Sequence, residues 1–211
     1  MPKSRRNIIL KIIVLVLHLV GAIGTIIPST SSFFIQLTPI NLVITTIILL
    51  LGETHISGRL LLVLITTVLI GLGIEAIGVA TGWPFGLYTY GSVLGPKLYE
   101  VPLVIGINWF LLSYCFYNLS KTIISNLALR SAIASTMMVV MDFIIEPVAV
   151  KLEYWQWLSL DIPIQNYLAW FIISFVIQIM MNSLIKLNRI NPIALTIVLS
   201  QLFYFCLISI I

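Results

Sequence analysis

The chain has 211 residues, of which 60% are hydrophobic and 9% charged, with a formal net charge of +4. Soluble domains carry roughly 25% charged residues, so this composition excludes a soluble globular protein, and the mean hydropathy of +1.15 points to an integral membrane protein. The basic residues are dispersed rather than gathered in one patch, which excludes nucleic-acid binding.

A hydrocarbon core about 30 Å thick takes about 20 apolar residues per helix. Seven stretches satisfy that rule: 8–27, 34–51, 60–80, 101–119, 129–150, 167–186 and 192–210. They predict an all-α, polytopic membrane protein with seven transmembrane helices in a single domain over 1–211. The runs are too continuous for the alternating strands of a closed barrel. The first span is basic-flanked, but Ile26-Ile27-Pro28 offers no small-residue cleavage site, so it reads as a retained helix.

Lys and Arg in short loops set orientation. With a cytoplasmic N-terminus, the inner side holds Lys3, Arg5, Arg6, Lys11, Arg59, Lys121, Arg130, Lys186 and Arg189, and the outer side only Lys97 and Lys151. This bias predicts a multi-pass protein of the cell membrane with its C-terminus outside.

The first span carries His18 near its middle, read as bonded to another helix. Pro28 and the Ser/Thr run 29–32 are expected to end that span. The second span is nearly featureless, with Thr45 and Thr46 bonding to the backbone. Glu53 and His55 in the following inner loop read as a solvated face. The third span has an outer half rich in small residues: Gly71, Gly73, Ala76, Gly78 and Ala80 surround Glu75. Small residues let another helix or a ligand approach the backbone closely.

The outer loop that follows, TGWPFGLYTYGSVLGPK, holds Trp83, Phe85, Tyr88 and Tyr90 among four glycines and two prolines. An aromatic belt at the membrane interface does not need so many glycines, so the loop is expected to be shaped and lid-like. The fourth span starts at Glu100-Val101-Pro102, with the acid near the helix N-terminus, and carries Asn108-Trp109. The fifth carries Asp142 and Glu146, one turn apart on one face, and then Pro147, which loosens the helix. A second aromatic outer loop contains Trp155 and Trp157. The sixth span starts at Asp161-Ile162-Pro163 and includes Asn166 and Trp170. The seventh has Gln201 as its polar midpoint. Cys115 and Cys206 read as small buried hydrophobes with no disulfide.

A weak internal repeat aligns Glu100-Val-Pro-Leu and Trp109-Phe-Leu-Leu-Ser with Asp161-Ile-Pro-Ile and Trp170-Phe-Ile-Ile-Ser. The third and fourth spans would then repeat, in parallel, the fifth and sixth.

Of the seven acids, only Glu53 falls on the inner side. Glu100 and Asp161 are explained as helix starts. Glu75, Asp142 and Glu146 are not, because they lie inside or toward the C-terminal ends of helices, where the helix dipole opposes a negative charge. Three such carboxylates in one leaflet predict a functional constellation. In an apolar site one carboxyl of a close pair can stay protonated as a general acid while its neighbour handles water. Trp and Tyr faces can stabilise a cation by roughly 0.5–2 kcal/mol each. These are the parts needed to hydrate an unactivated alkene. Asn108 and Asn166 either position water or a carboxylate, or bond helix to helix.

The run E-x-x-G-x-x-T-G-x-P-F-G-x-Y-x-Y (Glu75 to Tyr90) and V-P-x-x-I-x-x-N-W (Val101 to Trp109) resembles the membrane-integral carotenoid hydratase family, of the gamma-carotene and bisanhydrobacterioruberin hydratase type. So do D-x-x-x-E-P-x-A (Asp142 to Ala149), W-x-W (Trp155, Trp157) and I-P-x-x-N-x-x-x-W (Ile162 to Trp170). Glu146 stands where that family often has Asp, a difference of one methylene in reach. The resemblance implies addition of water across the terminal double bond of an acyclic carotenoid end group, giving a tertiary alcohol, without a redox cofactor. The expected partners are a lipophilic carotenoid, such as lycopene, gamma-carotene or a bisanhydrobacterioruberin-like molecule, and the lipid bilayer. The expected acid/base residues are Glu75, Asp142 and Glu146. The expected substrate contacts are Trp83, Phe85, Tyr88, Tyr90, Asn108, Trp109, Trp155, Trp157, Asn166 and Trp170. Nothing in the sequence requires a metal, although three carboxylates would suit Mg²⁺ or Mn²⁺.

Three alternatives have distinct signatures. A small membrane lycopene cyclase uses similar cation chemistry but gives an isomeric product. A proton-coupled transporter would carry acids through both halves of a pathway. A retinal protein would need a lysine within the last span, which has none.

Overall fold

The computed structural model describes residues 3–122, 124–159, 161–185 and 190–211. Lys186 and Arg189, counted above on the inner side, lie outside the described residues. The described chain forms α1 (Lys3–Ile26), α2 (Pro28–Gln36), α3 (Thr38–Leu51), α4 (Gly58–Thr81), β1 (Tyr88–Tyr90), β2 (Lys97–Leu98), β3 (Val101–Pro102), α5 (Leu103–Ser120), α6 (Leu127–Lys151), β4 (Trp155–Trp157), α7 (Ile164–Leu184) and α8 (Ala194–Ile210). It is all-α apart from these short strands. By length and composition five helices (α1, α4, α5, α6 and α7) can cross a membrane, and up to six if α2 and α3 count as one bent span. The apolar α8 has 17 residues, which leaves it short of that criterion.

The second predicted span is broken rather than continuous. α2 and α3 meet at Leu37 with a bend of 56°. Pro39 has no N–H to return to the carbonyl of Ile35, and its ring crowds that carbonyl, which favours a kink or break at this point. Pro28 occupies the first turn of α2, a position where proline is tolerated. The first span does end at Ile26, just before Pro28, as expected, but the Ser/Thr run 29–32 lies inside the next helix. Pro147, by contrast, is carried within the 25 residues of α6.

α5 is the central helix. Its apolar window is 78% buried, against 28–50% in the other candidate spans, as expected of a helix that is apolar all round. It packs against α3, α4, α6, α7 and α8, and α1 packs chiefly against α8. The outward faces are covered by large apolar side chains such as Ile12, Leu19, Leu69 and Phe143, which suits a lipid environment.

The two aromatic loops pair with each other. β1 runs antiparallel to β4, with Tyr88 opposite Trp157, Thr89 opposite Gln156 and Tyr90 opposite Trp155. Alternation along a strand puts every second side chain on one face. Tyr88, Tyr90, Trp155 and Trp157 therefore share the inward face, and Thr89 and Gln156 point out. Gly91 closes this ribbon: its N–H donates to Tyr154 O at 3.0 Å, and a Cβ there would stand 2.0 Å from Glu153 O.

Several local expectations need correction. Glu100 does not start a helix. It sits exposed in the turn between β2 and β3 with φ +62° and pairs with Lys97 at 3.8 Å. The residue before α5 is the extended Pro102, and the residue before α7 is the extended Pro163, so Asp161 is no cap either. His18 bonds within its own helix, donating from Nδ1 to Val14 O at 2.9 Å. Thr46 bonds to Leu42 O at 2.9 Å, but buried Thr45 finds no partner among the described residues. Cys115 is buried and Cys206 is exposed. Glu53 is not a solvated loop residue: its Oε1 accepts from Tyr114 at 2.7 Å and from Asn191 Nδ2 at 2.6 Å, tying the α3–α4 turn to α5 and to the segment before α8.

Candidate active site

The three span-interior carboxylates meet. Glu75, Asp142 and Glu146 line one cavity of about 40 Å³ under the β1–β4 ribbon. Glu75 comes from α4, and the other two from α6.

The neighbours of Glu75 follow from small residues on its own face. Gly71 and Gly78 lie one turn before and after it. A Cβ at Gly71 would be 2.8 Å from the Trp109 ring, and one at Gly78 would be 2.7 Å from Phe85 and 2.9 Å from the Tyr88 hydroxyl. These two glycines therefore admit the side chains that reach the carboxylate. Tyr88 and Tyr90 donate to Glu75 Oε2 at 2.5 and 2.8 Å, and Trp109 Nε1 donates to Oε1 at 3.0 Å. Burial, and then the Glu75 charge, push both tyrosine hydroxyls above their ordinary range, so both stay protonated as donors.

Glu146 is held in the same way by the other strand. Trp155 Nε1 and Trp157 Nε1 donate to its Oε2 at 3.0 and 2.9 Å. Asn166 on α7 spans the α6 pair, donating from Nδ2 to Asp142 Oδ2 at 2.8 Å and to Glu146 Oε1 at 3.3 Å. Both oxygens of Glu75 and both of Glu146 thus accept from protein donors. Asp142 differs: its buried Oδ1 has no partner among the described residues.

Aromatic rings close the walls. Trp109 and Trp170 stack with centroids 4.3 Å apart and planes at 21°, and Tyr88 lies against Trp157 at 5.2 Å. Such pairs contribute about 0.5–1.5 kcal/mol beyond their area.

Of the residues expected at the site, Glu75, Phe85, Tyr88, Tyr90, Asn108, Trp109, Asp142, Glu146, Trp155, Trp157, Asn166 and Trp170 all line this cavity. Trp83 does not. It is 68% exposed, because Gly82 turns the chain in the left-handed region at φ +76° and aims Phe85, not Trp83, inward. Trp83→Ala is therefore expected to change stability by no more than about 0.5 kcal/mol, as surface substitutions away from structural features usually do; thermal melting of the purified variant reads this directly. Two lining residues escaped the sequence reading, Ile105 and Ile145. Each lies three or four residues from a named site residue on its own helix (Trp109, Asp142), so helical spacing would have found them.

A family model described as carotenoid biosynthesis protein matches residues 36–211. The bisanhydrobacterioruberin hydratase of Haloarcula japonica is 35% identical over 125 residues, an alignment covering 54% of this chain and 42% of that protein. This chain thus spans less than half the length of that relative. No solved structure matches. With its match running from the α2–α3 break through α8, the chain belongs to the family of carotenoid biosynthesis proteins.

Proposed function

We propose that this protein is a carotenoid hydratase that adds water across the terminal C1,C2 double bond of an acyclic end group to give a tertiary alcohol. The observation that carries this reading is the difference in hydrogen bonding among the three carboxyls. Glu75 and Glu146 are each met on both oxygens by groups that donate, which suits carboxylate anions. Asp142 keeps one oxygen unmet in the same cavity, which suits the carboxyl that carries the proton.

The steps balance without a redox change. Asp142 Oδ1–H protonates C2 of the alkene, and the π electrons form the new C–H bond, leaving a tertiary cation at C1. Water adds at C1 and gives up a proton to Glu146, and the oxonium becomes the alcohol. The proton returns from Glu146 to Asp142, one helical turn away, and the cycle closes. Asn166 holds both α6 carboxyls in register for that return. Glu75 supplies a fixed negative charge across the cavity, and the Trp109–Trp170 stack adds cation–π stabilisation. Asn108 lines the same cavity with no side-chain hydrogen bond among the described residues, and in this reading it orients the water.

The cavity of about 40 Å³ exceeds the roughly 10–15 Å³ that one water requires. A branched hydrocarbon end is bulkier, so its entry requires wall side chains to move. Trp155 and Trp157 on the ribbon are only partly buried and have room to do so.

In the same reading the chain is one transmembrane unit over 1–211 with seven spans, a cytoplasmic N-terminus and the carboxylates toward the outer side of the cell membrane. α4–α5 and α6–α7 form a parallel repeat. Paired β1 and β4, the stacked Trp109 and Trp170, and the extended prolines before α5 and α7 support it.

Expression in a lycopene-producing bacterium tests the reaction. Pigments heavier by one or two waters are expected. A product isomeric with lycopene would replace hydration with cyclisation, and unchanged pigment with substrate-dependent proton flux in liposomes would favour a transporter.

A further inference from the structure

A second cavity, of about 340 Å³, lies between α1, α3 and α8. It shares no lining residue with the carboxylate cavity. Its rim includes Val16, Val20 and Ile40, which are about half-exposed on the outward face, so the surrounding hydrocarbon can reach it. No acidic or basic residue other than His18 lines it.

Its polar side chains divide into two sets. Thr25 donates to Gly21 O at 2.8 Å and pairs with the Tyr204 hydroxyl at 3.2 Å. The hydroxyls of Thr38 and Tyr154 pair at 2.8 Å. These groups are satisfied within the wall. His18, Asn41 and Gln201 are not. A carbonyl only accepts, so the His18 bond to Val14 O places the proton on Nδ1 and leaves Nε2 of the neutral ring as an acceptor. Gln201 is 4% exposed, and neither its Oε1 nor Asn41 Oδ1 has a partner among the described residues. Buried polar groups inside a membrane protein normally find partners. His18 Nε2, as an acceptor only, needs a donor, while the two amides can either donate or accept.

We infer that the α1–α3–α8 cavity binds a neutral isoprenoid alcohol, an apolar branched chain whose single hydroxyl donates to His18 Nε2. A plain hydrocarbon or an acyl chain would fill the apolar wall and leave the acceptors unmet. A quinone brings only acceptors. A phosphate or carboxylate head would need a cation that the lining does not supply. An alcohol both donates and accepts, and so satisfies an amide in either orientation. That the natural occupant is this enzyme's own tertiary-alcohol product rests on the hydration reading; the binding does not.

The test uses the full chain in phosphatidylcholine nanodiscs free of carotenoid. The probe is tritiated isophytol, a tertiary diterpenoid alcohol, and the competitor is phytane, the hydrocarbon of the same skeleton. Saturable isophytol binding is expected, displaced by unlabelled isophytol and not by phytane. His18→Phe should weaken it by about tenfold, the loss of one good hydrogen bond. Gly21→Leu should abolish it, because Gly21 lines the cavity and a Cβ there meets nothing within 4 Å, so the larger side chain enters open space. Asp142→Asn should bind isophytol as wild type does. Equal displacement by phytane, or full binding to a monodisperse Gly21→Leu or His18→Phe protein, overturns the proposal. The assay reads no turnover, so absent hydration leaves its result intact. Lost binding in a chain that still hydrates carotenoid removes the alcohol site alone.

Discussion

Asp142→Asn is expected to lower the yield of hydroxylated carotenoid by about a hundredfold or more while leaving the protein folded. General acid catalysis typically contributes 10²–10⁴-fold, and an unactivated alkene offers no other route to the cation. The fold should survive because Asn keeps the carbonyl oxygen that accepts from Asn166, a bond of 2.8 Å in the native protein. The group removed is the unpartnered Oδ1, so no structural hydrogen bond goes with it. Thermal melting of the purified variant, read beside pigment mass, separates loss of chemistry from loss of structure. Asp142→Glu retains the acid at one methylene's distance and should recover part of the yield. A purely structural role for Asp142 would reverse that order, since Asn is the better steric match.

Glu75→Gln should cost about 10²–10³-fold in product formation, the range seen when one preorganised electrostatic partner of a transition state is removed. The reasoning differs from that for Asp142. Glu75 receives two tyrosine hydroxyls on one oxygen and an indole N–H on the other. The indole can only donate, so the glutamine must turn its oxygen to Trp109 and its NH₂ toward Tyr88 and Tyr90. The hydroxyls then have to rotate and accept. The cavity loses its fixed charge and keeps its shape. Tyr90→Phe, which removes one of the three donors but keeps the carboxylate, should have a smaller effect. Equal losses in Glu75→Gln and Tyr90→Phe would mean that the network, not the charge, matters.

The carboxylates were legible in the sequence for a physical reason. A membrane span does not carry an acid without a partner or a task, and the i,i+4 spacing of Asp142 and Glu146 fixes them on one face. Glycines at Gly71 and Gly78 marked the close approach that Trp109 and Tyr88 make. The ribbon was harder to read. Tyr88-Thr-Tyr90 and Trp155-Gln-Trp157 alternate with period two, but three residues are too few to signal a strand, and their pairing joins segments far apart in sequence. Trp83 was misplaced because local pattern does not reveal which aromatic a left-handed glycine sends inward. The break at Leu37 was in principle visible in Pro39, but hydropathy alone runs straight across it. Glu53 shows the same limit: its partners Tyr114 and Asn191 are 61 and 138 residues away, and no local pattern identifies a contact of that kind.

The central idea is that Asp142 hands its proton to a carotenoid double bond and that bulk water becomes the new hydroxyl. The most direct measurement is mass spectrometry of the pigment formed by purified wild-type and Asp142→Asn protein from an acyclic carotenoid in heavy-oxygen water containing deuterium oxide. Wild type should give an alcohol with one heavy oxygen and one deuterium per hydrated end, and the variant essentially none. A folded Asp142→Asn protein that forms the labelled alcohol at the wild-type rate would contradict the account.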